Sequence, residues 1–201
     1  LAYHDKGLAL FEQKKWRDAI RSLKKAIELS PDYTDAHLKM GIAYFHLKDF
    51  KSAVQSFDHV IELEPNSDEA HYYKGNALLE LKKHALAHKS FVRLIKMKPD
   101  YFPAYTAKAL IEFKLKKYQE AIKSIGRSIA INPNEHISYM LEGNIHVRRG
   151  DLKSAIKSFL QAIKLNPNEP GYHYDLSCCL ALTGRKAEAI REGERAVALT
   201  P

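Results

Sequence analysis

The chain has 201 residues, of which 45% are hydrophobic, enough to build a buried core. No run of about 18 apolar residues occurs and no apolar segment follows a basic start, which argues against a membrane span and a secretion signal. The only two cysteines, Cys178 and Cys179, are adjacent and cannot form a disulfide framework, so we expect a reducing, cytoplasmic location. The net charge of +8 makes nucleic acid or an acidic partner a candidate ligand.

A period of 34 residues runs through the whole chain. Prolines recur at this interval from Pro31 to Pro201, and alanines recur with it from Ala19 to Ala189. Small residues form a third series: Gly7, Gly41, Gly75, Ala109, Gly143 and Ser177. A fixed period of this kind is typical of a repeat protein, so it outweighs an interpretation built on local motifs.

The period divides the chain into six units, which we expect to form a single domain over residues 1–201: about 1–33, 34–67, 68–101, 102–135, 136–169 and 170–201. Each unit is predicted to contain two amphipathic helices, here called helix A and helix B, joined by a turn. In the second unit the predicted helices span 34–47 and 50–64. We therefore predict twelve helices and no strand.

Glycine and proline occupy specific places in this scheme. The small residue falls in the middle of helix A, where glycine costs about 1 kcal/mol relative to alanine, so its recurrence indicates close approach of two helices. Proline ends each helix B because it lacks an N–H and disfavours the α region for the residue before it. Pro103 and Pro170 instead fall at the start of a helix A, where proline is tolerated.

The second unit carries the pattern most completely, in His37, Met40, Gly41, Tyr44, Ala53, Phe57, Val60 and Pro65. This pattern resembles the tetratricopeptide repeat family, whose unit of about 34 residues has small residues at its eighth and twentieth positions and proline at its thirty-second. The resemblance covers the whole chain, with local departures at His88, Glu112, His146 and Gly193. It implies an all-α, right-handed superhelical solenoid in which helices A line a concave groove.

An uncharged face runs along the predicted helices A. The fourth, eighth and eleventh positions form the core stripe, so the fifth, ninth and twelfth lie together on the neighbouring face. None of its eighteen residues is charged, although 28% of the chain is, and such an apolar surface is suited to binding a peptide. The alternative is that these side chains only pack neighbouring helices together. The predicted peptide-binding residues are Leu38, Ile42, Phe45, Tyr72, Asn76, Leu79, Leu110, Phe113, Met140, Asn144, Val147 and Tyr174; the other six on this face are His4, Leu8, Phe11, Thr106, Cys178 and Ala181.

Two asparagines on this face, Asn76 and Asn144, can donate to and accept from a peptide backbone. The resemblance implies that role for them, and a hydrogen bond between helices is the alternative. The family's clamp for the carboxylate of chaperone tails is absent because the fifth positions hold no lysine. We expect a partner with apolar anchors, extended or helical, rather than an acidic chaperone tail.

Charged residues flank the predicted groove and the turns. The groove rim is acidic toward one end and basic toward the other, which would orient a bound segment; the rim residues are Glu12, Glu80, Lys114 and Arg148. Basic pairs in or beside the turns between helices A and B would support nucleic-acid binding along a basic edge. Aromatic residues for base stacking are not interleaved there, which disfavours this function. The pairs are Lys14 and Lys15, Lys82 and Lys83, Lys116 and Lys117, Arg148 and Arg149, and Arg185 and Lys186.

No motif predicts catalysis, a cofactor or a metal. His84 and His88 have the spacing of a helical metal pair, but they lack a third ligand and the glutamate of a zinc hydrolase, so we interpret them as structural. Nucleophile elbows and phosphate-binding loops are absent. The chain is predicted to be a non-enzymatic scaffold for a protein or peptide, with a substrate-recognition module of a larger enzyme as the alternative.

The two ends of the repeat stack carry a separate expectation, because a solenoid needs polar caps. Leu1 falls inside the first helix A, so we expect the intact protein to continue upstream and this chain to self-associate weakly through its ends. The last helix B is rich in charge and is predicted to cover its end in part; its charged residues include Glu188, Arg191, Glu192, Glu194 and Arg195.

Overall fold

A computed structural model describes residues 2–200, and these residues form twelve α-helices and no strand. This confirms the predicted all-α helical repeat, and the helices of the second unit end within one residue of their predicted bounds. The helices are α1 (Ala2–Glu12), α2 (Trp16–Leu29), α3 (Thr34–His46), α4 (Phe50–Leu63), α5 (Asp68–Glu80), α6 (His84–Met97), α7 (Phe102–Lys114), α8 (Tyr118–Ile131), α9 (His136–Arg148), α10 (Leu152–Leu165), α11 (Pro170–Leu182) and α12 (Lys186–Ala198).

The helices fall into two compact units, unit 1 (Leu1–Pro99) and unit 2 (Asp100–Pro201). Within each unit every odd-numbered helix packs against the even-numbered helix that follows it, and that helix packs against the next odd-numbered one. Odd-numbered helices are thus helices A and even-numbered helices are helices B. The single domain expected over residues 1–201 stays a prediction.

In five of the six hairpins the core contains a contact between a small residue of helix A and a larger residue of helix B. A Cβ added at Gly41 would lie 2.7 Å from the ring of Phe57, and one at Gly143 would lie 2.6 Å from the ring of Phe159. Both rings are fully buried. The glycines are therefore required because no side chain fits between the helices, as the recurrence of small residues predicted.

The turn between helices A and B has one residue in the left-handed region in every described hairpin. It is glycine in two turns, Gly150 and Gly184, and lysine in the other four: Lys14, Lys48, Lys82 and Lys116. A side chain in this region costs about 1 to 2 kcal/mol relative to glycine. The backbone is closed there by the hydrogen bonds that end helix A, such as Lys48 N–H to Phe45 O at 3.0 Å.

Histidines at the fourth repeat position fasten helix A to the preceding loop. The Nε2–H of His37 donates to the carbonyl of Pro31 at 2.7 Å, and that of His71 donates to the carbonyl of Pro65 at 3.1 Å. Both rings are buried, and burial is the main cause that lowers the pKa of each. The neutral ring is therefore the form that the folded state holds.

Glu112, where the family pattern has a large apolar residue, is buried but compensated. Its Oε1 accepts from Lys108 Nζ at 2.5 Å and its Oε2 accepts from the Ser124 hydroxyl at 2.6 Å. A buried carboxylate requires such partners, because an unpaired charge in the interior is strongly unfavourable. The substitution thus replaces apolar packing in α7 with a polar cluster.

The two end helices carry different exposed residues. On α12, Ile190 and Val197 are 62% and 74% exposed, so apolar as well as charged side chains lie on its surface, and the partial cap stays a prediction. On α1, exposed Lys6 occupies the repeat position whose counterpart in α3, Met40, packs against the Leu23 and Ala26 cluster of α2.

Gly143 and Gly126 provide a matched test of the close approach in unit 2. Gly143→Ala should destabilise the protein by about 1 to 3 kcal/mol, because its Cβ would enter the space of Phe159. Gly126→Ala, in α8, should stabilise it by about 0.5 to 1 kcal/mol, because its Cβ meets nothing within 4 Å and alanine favours a helix. Urea denaturation measures both. Two changes of the same sign would contradict the proposed packing constraint.

The histidine contacts predict a pH dependence of stability. The folded-state pKa values of His37 and His71 lie below the ordinary value of 6.5, so near and below that pH the unfolded chain binds more protons. The free energy of unfolding should therefore be highest above about pH 7 and fall as pH decreases through about 6.5. The double variant His37→Tyr/His71→Tyr carries the residue found at this position in three other repeats and should flatten part of that slope. An unchanged slope would refute the assignment.

Candidate peptide-binding faces

The fifth, ninth and twelfth positions of helices A lie beside the core stripe, as the helical period requires. In unit 1 the half-buried residues at these positions, together called the unit 1 face, are Leu8, Phe11, Leu38, Phe45, Tyr72, Asn76 and Leu79. In unit 2 the half-buried or exposed ones, together called the unit 2 face, are Leu110, Phe113, Met140, Asn144, Val147, Tyr174, Cys178 and Ala181. Each face is therefore partly accessible to a partner, and its side chains also pack against neighbouring residues.

Aromatic contacts hold the unit 1 face in place. The ring of Phe45 packs edge-on against Phe50 with centroids 5.4 Å apart and against Tyr73 with centroids 5.9 Å apart. Tyr72 packs edge-on against Phe91 of the same hairpin at 6.3 Å. Rings held in this way lose little further freedom when a ligand covers them, which favours binding.

Three residues predicted on the two faces are committed to internal contacts. Ile42 is only 2% exposed and belongs to the core with Phe57, so in this structure its side chain packs rather than faces solvent. His4 is buried between the hydroxyl of Tyr33 at 2.9 Å and Asp35 Oδ2 at 2.6 Å. A residue's position within the repeat therefore does not by itself predict whether its side chain is exposed.

Thr106 is the third of these residues. Its hydroxyl lies 2.7 Å from the Ser128 hydroxyl and 3.2 Å from that of Ser138, and both serines are fully buried. The Ser128 hydroxyl also donates to the carbonyl of Phe102 at 3.2 Å. This network joins three helices of unit 2, so the hydroxyl of Thr106 serves the fold.

The two asparagines make hydrogen bonds within their own helices. Asn76 Nδ2 donates to Tyr72 O at 3.1 Å, and Asn144 Nδ2 donates to Met140 Sδ at 3.0 Å. Neither amide oxygen accepts a hydrogen bond from the residues that the structure describes, and each Nδ2 keeps a second hydrogen. Each amide therefore retains one acceptor and one donor for a ligand, and neither forms the alternative bond between helices.

A residue of the unit 2 face was missed from the sequence. Ile137 is 46% exposed, three residues before Met140 and seven before Asn144, so it shares their side of α9. The same spacing was present in the sequence, but the predicted face began at the fifth repeat position.

The structure also has a cavity of about 530 Å³ beside Tyr174, lined by Pro170, Gly171, Tyr174, Ala196, Val197 and Thr200.

Histidine and carboxylate side chains do not gather into a metal site in the described part of the chain, where no three potential ligands come together. None of the helices within residues 2–200 has the length and apolar character needed to cross a membrane.

Family models match most of the chain. One described as TPR repeat matches residues 7–48, one described as Tetratricopeptide repeat matches 34–67, and another of that description matches 72–136 and 140–201. The chain belongs to the tetratricopeptide repeat family. Proteins built from these repeats are generally non-enzymatic scaffolds for protein interactions, which confirms the general class of function predicted here.

Solved tetratricopeptide structures are similar to the chain, whereas no curated protein sequence matches it significantly. MamA from Desulfovibrio magneticus RS-1 is 26% identical, with a TM-score of 0.79 over 83% of this chain and 94% of that chain. A tetratricopeptide repeat protein from Parabacteroides merdae is 15% identical, with a TM-score of 0.87 over 100% and 79%. YrrB, described as having an unusual peptide-binding site, is 17% identical, with a TM-score of 0.70 over 89% and 92%. The last two show the fold alone.

The vicinal cysteines of this tetratricopeptide chain test the accessibility of the unit 2 face. Cys178 is exposed at a ninth repeat position, whereas Cys179 is buried and its pKa is raised, chiefly by burial. Iodoacetamide at pH 8 should therefore alkylate Cys178 at least about tenfold faster than Cys179, because the thiolate reacts and must be reachable. Mass spectrometry of the peptides gives both rates. Cys178→Ser should leave only the slow thiol, and equal rates would contradict this orientation of α11.

Proposed function

We propose that the chain is a peptide-binding scaffold whose unit 1 and unit 2 faces each hold a partner segment with apolar anchors. The observation that carries this proposal is the state of Asn76 and Asn144. Each stands on an uncharged, partly exposed face and keeps an amide oxygen without a partner among the described residues. A half-buried acceptor left open beside apolar side chains is suited to a backbone N–H of a bound chain.

Recognition combines two kinds of contact. Backbone hydrogen bonds from the asparagines require no particular sequence in the partner, whereas apolar side chains select residues that fit between them. Phe45 and Tyr72 in unit 1 and exposed Tyr174 in unit 2 supply large aromatic surfaces. Aromatic residues of this kind commonly dominate the binding energy of protein interfaces. YrrB provides a precedent for peptide binding on this fold, although its similarity extends to the fold alone.

The rims of the two faces favour partner residues of opposite charge. In unit 1, α1 and α5 end at exposed Glu12 and Glu80, and in unit 2, α7 and α9 end at exposed Lys114 and Arg148. A partner of unit 1 would therefore gain from a basic residue beyond its apolar anchor, and a partner of unit 2 from an acidic one. No lysine stands at a fifth repeat position in either unit, so an acidic chaperone tail is not the ligand we propose.

Alanine substitution of the two asparagines tests the proposal. Peptides selected from a random display library against the natural protein serve as ligands, and their affinities are measured by calorimetry. The double variant Asn76→Ala/Asn144→Ala should weaken such a peptide by about 1 to 3 kcal/mol, because buried backbone groups of the peptide lose their partners. The single variants show which unit holds the peptide.

The matched control removes two amides from loops between repeats. Asn134→Ala/Asn168→Ala changes exposed side chains that make no hydrogen bond in the described structure, so peptide affinity should be unchanged. Equal affinity of the natural protein and the Asn76→Ala/Asn144→Ala variant for every selected peptide would refute the asparagine role.

A further inference from the structure

Each turn of unit 1 has a lysine at the left-handed backbone position, where glycine would be the unstrained residue. Lys14, Lys48 and Lys82 have φ angles of 58°, 61° and 58°. The corresponding turns of unit 2 include Gly150 and Gly184, with φ of 79° and 80°. Because glycine adopts this conformation without strain, the backbone does not account for three successive lysines.

Two of these lysines are followed by a second lysine, which directly precedes helix B. Lys15 and Lys83 are the N-caps of α2 and α6, and neither side chain makes a capping hydrogen bond. Asp49 at the equivalent place in α4 accepts from Ser52 N–H at 3.2 Å. A cation at a helix N-terminus lacks this bond and opposes the helix dipole. The dipole favours the lysines that end helices A, but it disfavours Lys15 and Lys83.

These lysines, Lys14, Lys15, Lys48, Lys82 and Lys83, are together called the basic turn edge. All five are exposed, and none forms an ion pair with a described residue. The carboxylate of Asp49 is already occupied by the backbone and hydroxyl of Ser52. Five cations without an ion-pair partner among the described residues therefore occupy these turns, and the two at N-caps, Lys15 and Lys83, weaken the local structure. Positions that break local folding rules without a structural gain are expected to serve function.

We propose that the basic turn edge of unit 1 binds an acidic protein segment, on a surface separate from the unit 1 face. Successive hairpins of unit 1 pack side by side, so their turns recur at about the separation of neighbouring helices, roughly 10 Å. A segment in the polyproline II conformation advances about 3.1 Å per residue with three residues per turn, so carboxylates at every third residue lie on one side and meet successive turns. Lysine ammonium groups act as point charges that suit such carboxylates.

Nucleic acid fits this edge less well. Arginine, whose planar group binds phosphate in a bidentate manner, is absent from the edge. Trp16, next to Lys15, already stacks on His46 with ring centroids 4.4 Å apart, and Phe11 packs against its edge at 5.0 Å. Without free aromatic rings the edge lacks the stacking platforms used for single strands.

Aspartate at the two N-caps, Lys15 and Lys83, distinguishes an effect on binding from an effect on folding. In the full chain, Lys15→Asp/Lys83→Asp should bind a poly-glutamate peptide of about ten residues at least about tenfold more weakly at 50 mM salt, since four units of charge are changed at the edge. The same variant should melt higher, by about 2 to 4 °C for each cap, because aspartate satisfies an open N–H of the helix. Weaker binding by a more stable protein cannot result from a damaged fold.

The control is Lys6→Glu/Lys89→Glu, which changes the net charge equally at two exposed lysines of α1 and α6 whose side chains make no hydrogen bond or ion pair with a described residue. It should weaken poly-glutamate binding by less than about threefold, because screened charges away from the edge contribute little. Equal losses in both variants, or no binding of poly-glutamate by the natural protein, would overturn the proposal. Tighter binding of a single-stranded DNA of equal charge would also overturn it, in favour of nucleic acid.

Discussion

The fold depends on the close approach of helix A to helix B inside each hairpin, which is set by the combined size of two facing residues. Glycine faces a phenylalanine ring in three hairpins, as Gly41 faces Phe57, whereas Ala109 packs in one cluster with the smaller Ile125. In the last hairpin the sizes are reversed, and a Cβ on Gly193 would lie 3.6 Å from the hydroxyl of Ser177. In the first five hairpins a small residue of helix A thus faces a larger residue of helix B, and close packing makes the two sizes depend on each other.

This approach also determines which side of helix A remains available. Once the eighth position is buried against helix B, the helical period turns the fifth, ninth and twelfth positions to the neighbouring side. The residues on that side include no charged side chain, but they do include side chains that form hydrogen bonds. The hydroxyl of Thr106 is consumed by buried serines, whereas the amides of Asn76 and Asn144 bond only within their own helices. The two asparagines, which share a residue type and a repeat position, therefore keep hydrogen-bonding capacity on the two faces.

The repeat period, the helix pattern and the small residues could be predicted because each reflects a local or periodic constraint visible in one unit. The burial of Ile42 and the hydroxyl network of Thr106 could not, because they depend on side chains contributed by other helices at distant sequence positions. The bonds from His37 and His71 to proline carbonyls were also missed, since a histidine in place of an aromatic residue gives no sign of which atom its ring will reach. The face was predicted by position, but its accessibility was decided by tertiary packing.

Buried contacts and turns contribute differently to the stability of a repeat, and this difference explains why destabilising residues are tolerated in the turns. Stability comes from buried contacts, such as that of Gly143 with Phe159 inside a hairpin and that of His37 with the Pro31 carbonyl in the preceding loop. Turns contribute little to these contacts, so a strained or uncapped turn lowers stability by a local and limited amount. Lysine in three left-handed positions of unit 1 is therefore tolerable in a way that a charge beside Phe57 is not. Because the interior carries the fold, both the helix A faces and the turn edge are free to vary with the partners they bind.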